Sequence, residues 1–431
     1  LSLLARRIAL DRFWNILAIF CFCYHYVLNM KTEGYSRKVL ALIFCVSLFN
    51  YIDRQVLYAV FPLLKADLRL SDAELGFLAS SFMIVYMCFA PFVGYFGDRV
   101  RRPLIIGVSA IFWSIATLLS GFIRSYGQLI FTRSAVGIGE AGYGTVSPSY
   151  LAEWFPVERR GRIMALYALA IPVGSAVGYL AGGYLGQHYG WRDAFFIVAV
   201  PGVLLGVASL FFRETPEKMQ RPDRVPLRQY AALFKNRTYM LIAFSMAVGT
   251  FSVGGLAAWM PSYFVRNFGM TVARAGFLFG AVTVVAGIAG NLAGGWAADW
   301  LHRRNKRGYF IVGYMSFFLS IPFGVLAVLG SDLNTCLAMI FMAEFFIFMH
   351  SGPYHAAIVE TVPVPMRSMA FALAIFILHA FGDAVSPFLV GLVSDAAGLN
   401  VAIFLAMLYL LLGGFTSILA GEAYVKRGEK F

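Results

Sequence analysis

Two pairs of ionisable residues interrupt long apolar runs, where charge is expensive. Asp53 and Arg54 are adjacent in one run, and Arg133 and Glu140 stand seven residues apart in another. An ionised side chain at the centre of a bilayer costs about 2.5–3.5 kcal/mol on insertion scales, so residues kept there are candidates for function. Seven residues are two helical turns. Arg133 and Glu140 therefore share a helix face but lie about 10 Å apart along the axis, too far to pair with each other. Such a set can bind an anion through a guanidinium and take up a proton on a desolvated carboxyl. The expectation is that Asp53 pairs with Arg133 across a cavity and that Arg54 competes for Glu140. Two alternative charge pairings suit a carrier that switches between states; static interhelical ion pairs are the plainer alternative.

A second polar set comprises Glu344, His350, His355, His379 and Asp383, in the tenth and eleventh apolar runs. His379 and Asp383 are one turn apart and can bond each other. Glu344, His379 and Asp383 are candidate polar groups of a cavity, although a static structural role is the first reading for His350, His355, His379 and Asp383 alike.

A third signal is duplicated. Gly94 is followed by Asp98, Arg99 and Arg102, and 201 positions later Gly295 is followed by Asp299 and Arg303 at the matching spacing. A second repeat aligns Glu153-Trp154-Phe155-Pro156-Val157 with Glu360-Thr361-Val362-Pro363-Val364, and Arg160 with Arg367. Repeated loops between apolar runs imply a duplicated membrane bundle. Asp98 falls at the C-terminal end of its helix, where the helix dipole disfavours a carboxylate. It needs compensation from Arg102 and a neighbouring helix start, and Gly94 permits the close approach. Gly94, Asp98, Arg99, Arg102, Asp299 and Arg303 are therefore expected to form a cytoplasmic gate.

The elements that position these residues follow from composition. Of 431 residues, 60% are hydrophobic and 13% are charged, and mean hydropathy is +0.74. Soluble domains run near a quarter charged, so this is a polytopic membrane protein. The apolar runs are continuous rather than alternating, which excludes a β-barrel, and backbone in hydrocarbon must bond to itself, which requires helices. Twelve spans are predicted: 38–62, 73–97, 103–123, 127–152, 162–187, 191–212, 238–264, 273–298, 308–329, 334–360, 367–394 and 399–424. The fold class is all-α integral membrane, with two pseudo-symmetric six-helix bundles at 36–212 and 238–425. A proline-bearing linker at 213–237 joins them, and 426–431 form a tail.

Loops on one side carry 21 Lys and Arg against six on the other, which places the 21-side, the linker and both ends of the bundle in the cytoplasm. The net charge of +13 is thus a topology signal rather than a nucleic-acid footprint, with attraction to anionic headgroups of membrane lipids a secondary reading. Residues 1–29 precede Met30 and are expected to be non-native, an interfacial helix being the alternative for the segment 1–35. The five cysteines read as small packing residues, and no metal site or cofactor is implied. Neither a GxSxG elbow nor an HExxH pair is present, so the chain is not expected to be an enzyme.

With its two GxxxD…R loops, twelve spans and basic central linker, residues 36–428 resemble the major facilitator superfamily. The departures are Arg101 where many members have Gly and Pro103 where a basic residue is usual. At finer grain the chain resembles the spinster family of lipid transporters. The resemblance rests on Asn50-Tyr51-Ile52-Asp53-Arg54, on Gly94 to Arg99, and on the stretch from Gly137 through Glu140 to Pro148. It rests also on Ala170-Ile171-Pro172-Val173-Gly174-Ser175 and Trp259-Met260-Pro261. It implies an amphipathic substrate of lysophospholipid or sphingoid type, with Asp53, Arg54, Arg133 and Glu140 as the functional polar set. The organic anion:proton symporter branch shares the first-span and fourth-span motifs and is the alternative. The expected function is therefore secondary active transport by alternating access. It is expected to be linked to protons and to be carried by a monomer in a bacterial inner membrane.

Overall fold

The computed structural model describes residues 34–97, 100–214, 227–363 and 366–428. All regular structure among them is helical. The N-terminal half contains α1 (Gly34–Ala59), α2 (Phe61–Leu68), α3 (Asp72–Gly97), α4 (Arg102–Ser120), α5 (Tyr126–Glu153), α6 (Val157–Ala168), α7 (Ala170–Tyr189) and α8 (Trp191–Leu210). The short α9 (Leu227–Lys235) leads into the C-terminal half. That half consists of α10 (Arg237–Phe268), α11 (Val272–His302), α12 (Gly308–Leu329), α13 (Leu333–Phe348), α14 (Ser351–Thr361), α15 (Arg367–Phe381), α16 (Ser386–Ala397), α17 (Leu399–Leu408) and α18 (Leu410–Gly428).

These helices make twelve rods, six per half, at the places the hydropathy pattern predicts. Among the described residues eleven spans are long and apolar enough to cross a membrane. The twelfth rod, α5, is long enough at 28 residues, but Arg133, Glu140 and its glycines lower its hydropathy. Of the two rods that carry the charges, α1 is thus among the apolar spans and α5 is not.

Five predicted spans are broken rather than continuous. The first, expected at 38–62, ends at Ala59 and continues as α2, which stops at Arg69 in a left-handed conformation (φ 53°). The fifth breaks at Leu169, the tenth at Met349–His350, and the twelfth at Tyr409. The eleventh unwinds between Phe381 and Ser386, where Gly382 adopts φ −105° and ψ −110° and Pro387 restarts the helix. Broken helices survive in a membrane only where protein or a polar cavity covers the freed backbone.

Small residues set how closely the rods approach. In α7, Gly174, Gly178 and Gly182 recur every four residues and lie against Leu48, Ile52 and Val56 of α1. A Cβ on any of the three would come within 2.8 Å of α1 backbone, so this glycine row fixes the depth and rotation of α1, and with it Asp53 and Arg54. The next face of α7 meets the other half, with Gly183 beside Val272 and Ala273, and Gly276 of α11 beside Tyr179. The matching contact on the far side of the bundle joins α3 to α16, where Gly76 meets Pro387.

Candidate functional site

Asp53 lies six residues before the end of α1, and Arg133 seven residues after the start of α5. The two rods run in opposite directions, so these residues arrive at the same depth. They form an ion pair of 3.2 Å between an Arg133 guanidinium nitrogen and Asp53 Oδ1. Both are sealed from solvent, at 1% and 2% exposure. The Thr117 hydroxyl of α4 donates to the other carboxylate oxygen, and the Phe195 ring of α8 lies 5.7 Å from the guanidinium. Four rods thus enclose one charge pair.

Beside this pair, Arg54 donates to Glu140 Oε2, two turns along α5 from Arg133, at 2.7 Å. Its guanidinium is sandwiched by the rings of Tyr51 (5.0 Å) and Phe82 (4.8 Å). Glu140 is 1% exposed, buried where Gly139 brings α5 against Trp113 of α4. The two pairs are incompletely satisfied. Arg54 Nε, Arg133 Nε and Glu140 Oε1 are buried without a hydrogen-bond partner among the described residues. Unused donors and an unused acceptor beside formed pairs are what a site with a second partner requires, because a permanently half-satisfied buried network is costly.

In the C-terminal half, Glu344 is 4% exposed. Its Oε1 accepts from Thr283 at 3.1 Å, and its Oε2 has no partner among the described residues. No cation pairs with it there. His379 Nδ1 and Asp383 Oδ1 are 2.8 Å apart, across the break in the eleventh span. That unwound turn was not visible in the sequence, although Gly382 followed by Pro387 was its signal. His350 sits in the interior against Phe317, bonded through Nδ1 to the Ile347 carbonyl, while His355 is exposed.

The duplicated loop signatures make their contacts within each half. Arg102 pairs with Glu153 at 2.5 Å, and its amide donates to Glu214 at 2.6 Å. In the second copy, His302 approaches Glu360 at 3.2 Å and stacks on Tyr309. The aligned residues Glu153 and Glu360 therefore receive equivalent contacts, but from Arg102 in one half and from His302 in the other. Asp299 and Arg303 are exposed and form no ion pair among the described residues. Gly94 lies in α3, whereas Asp98 and Arg99 fall outside the described residues, as do most of the linker and the segment 1–33.

A cluster that sequence reasoning missed joins the two halves at the end opposite the linker. Asp72 accepts both Arg266 guanidinium nitrogens at 2.6 and 2.7 Å, Lys65 at 2.5 Å and the Ser394 hydroxyl at 2.5 Å. Asp395 of α16 in turn accepts the Asp72 and Ala73 amides at 2.9 and 2.8 Å, which caps α3 from the other half. Two further inter-half bonds, Tyr179 to Ala257 O at 2.6 Å and Ala273 N to Gln187 at 3.0 Å, lie toward the same end.

The Major Facilitator Superfamily profile matches residues 43–387. Protein spinster homolog 1 of Xenopus laevis is 31% identical over 389 residues, covering 84% of this chain and 74% of that protein. The chain belongs to the spinster family of the major facilitator superfamily. Another relative, the sphingosine-1-phosphate transporter SPNS2 of Xenopus tropicalis, is 28% identical over 416 residues, covering 89% of this chain and 81% of that one. Among solved structures, a bacterial homologue of the human lysosomal transporter spinster, inward-facing and occupied, superposes with a TM-score of 0.83. The identity is 21%, over 92% of this chain and 98% of that one. A D-xylose-proton symporter superposes with a TM-score of 0.72 at 18% identity, over 90% and 97% of the two chains. The spinster-family assignment makes this an integral membrane transporter, and at the family level not an enzyme.

Proposed function

We propose that the chain moves an amphipathic, lipid-like molecule of lysophospholipid or sphingoid type by alternating access, linked to protons. The observation that carries this reading is the pair of buried ion pairs, Arg54–Glu140 and Arg133–Asp53, each with an unsatisfied polar atom. Arg54 is the partly accessible cation, with its flanks against Tyr51 and Phe82, and is assigned to the anionic headgroup. Glu140 is assigned to the proton: when Arg54 turns to a substrate anion, the carboxylate loses its counter-charge in a desolvated place and takes up a proton. Asp53 and Arg133 form the second pairing. Glu344, Asp383 and His379 are assigned to the opposite wall of the cavity. The substrate class is supported by the SPNS2 relative, a sphingosine-1-phosphate transporter.

The basic loops are placed in the cytoplasm, the bundle in a bacterial inner membrane, and the carrier is treated as a monomer. On that orientation the Asp72 end is external and is closed in the state described. The gate assignment for Gly94, Asp98, Arg99, Arg102, Asp299 and Arg303 is retained, with Arg102 acting through Glu153.

The test is reconstitution into liposomes with an imposed pH gradient. Gradient-stimulated uptake is expected to vanish in Glu140→Gln and survive in wild type. Equal stimulation in both would remove the proton role. A thermal-shift screen against lysolipids, sphingoid bases and small organic acids tests the substrate class. Stabilisation by organic acids alone would favour the anion-symporter reading.

A further inference from the structure

At the linker end of the C-terminal half a cavity of about 460 Å³ opens where α9, the start of α10 and the end of α18 meet. Lys235, Arg237 and Lys426 line it, with Asn236 and Thr238 between them. Among the described residues no carboxylate lines this cavity. The nearby Glu360 is engaged by Tyr424 at 2.7 Å and by His302. None of the three cations forms an ion pair among the described residues. The floor is fixed in advance, since Asn236 donates to the Thr361 carbonyl at 3.1 Å and its side-chain oxygen accepts the Tyr239 amide. Three like charges around a preformed concavity repel one another and are relieved by an anion.

The surroundings say which anion. The cavity lies where transmembrane rods end, at the level of the membrane surface. Beside it on α9, Leu233 turns into the protein while Phe234 is 60% exposed. An exposed aromatic ring next to a cationic pocket fits a ligand with a charged head and apolar chains. We propose that this cavity binds the phosphate headgroup of an anionic phospholipid from the adjoining leaflet, with its chains alongside Phe234. The site is separate from the buried Arg54–Glu140 cluster and does not depend on what that cluster carries. It would tie the first rod of the C-terminal half, where the linker enters, to the membrane surface.

Native mass spectrometry of the full chain, titrated with phosphatidylglycerol or phosphatidylcholine, tests this. Wild type is expected to retain phosphatidylglycerol on the order of 100-fold more tightly than Lys235→Gln/Arg237→Gln/Lys426→Gln, since each surface cation contributes about fivefold. A charge-matched variant, Arg304→Gln/Lys306→Gln/Arg307→Gln, is expected to bind as wild type does. Should the first variant fold poorly, Lys426→Gln alone, at an exposed helix end, reads the same effect at about fivefold. Equal losses in the two triple variants would reduce the effect to general surface charge and overturn the site. Thermal stabilisation by inorganic phosphate equal to that by phosphatidylglycerol would overturn the lipid as occupant.

Discussion

Arg266 and Asp72 belong to different halves and meet in a two-pronged ion pair, with nitrogen–oxygen distances of 2.6 and 2.7 Å. Asp72 is sealed from solvent and Arg266 partly so, which makes this a strong charge-assisted tie across the interface. The halves can separate at this end only by breaking it.

Asp72→Asn is therefore expected to shift the population away from the state closed at this end. A charge-assisted bond lost from a buried carboxylate corresponds to about 2 kcal/mol, or roughly 30-fold. Spin labels on the exposed Ala66 and Ala396 would read a longer separation in the variant. An unaltered distance distribution would show that the pair does not hold the halves together.

The Asp53–Arg133 pair makes a stability prediction. Either Asp53→Asn or Arg133→Gln alone leaves a buried charge without its partner, and about 3–5 kcal/mol is expected to be lost. The double variant removes both charges and is expected to recover at least about 1 kcal/mol of the summed loss. Thermal unfolding of the three variants in one detergent gives the cycle; strictly additive losses would mean the two side chains do not interact.

Glu344 behaves differently because no cation pairs with it among the described residues. Glu344→Gln keeps the Thr283 contact and removes a lone buried acid, so the melting temperature is expected to hold or rise. Glu140→Gln strands Arg54 and is expected to lower it. A comparable fall in both would point to an unseen counter-charge for Glu344.

At the surface, Asp67 accepts from Arg192 at 2.7 Å and from the Trp191 indole at 3.1 Å. The Arg192 hydrogen bond, with the indole's help, holds its carboxyl below the usual 3.8. The sign follows from linkage: a depressed folded value gives stability that is present above the unfolded value and is lost as pH falls through the folded one. Wild type is expected to exceed Asp67→Asn in unfolding free energy at pH 7, by less than about 1 kcal/mol for so exposed a pair. That margin is expected to close below about pH 3.8. A margin independent of pH would assign the effect to packing.

The rods and their order were legible because hydrocarbon allows few backbone solutions, and charge in an apolar run is conspicuous. Asp53 and Arg133 could be set at one depth from rise per residue alone. The Asp72 cluster was not legible. Asp72, Lys65, Arg266 and Asp395 sit at span ends, where charges are ordinary, and Asp72 and Asp395 are 323 positions apart. Nor does hydropathy reveal that the eleventh span unwinds at Gly382, since its flanks are equally apolar. The second signature was legible as a repeat but not as a set of contacts. Its spacing named Asp299 and Arg303, yet the contact equivalent to Arg102–Glu153 is made by the neighbouring His302.

The first turn of α3 is finished by a carboxylate that rides on the other rigid body. Whenever the halves part at that end, the Asp72 and Ala73 amides must turn to water. Deuterium uptake at those two positions should therefore count the fraction of time the bundle spends open there, with no label, no substrate and no change to the sequence.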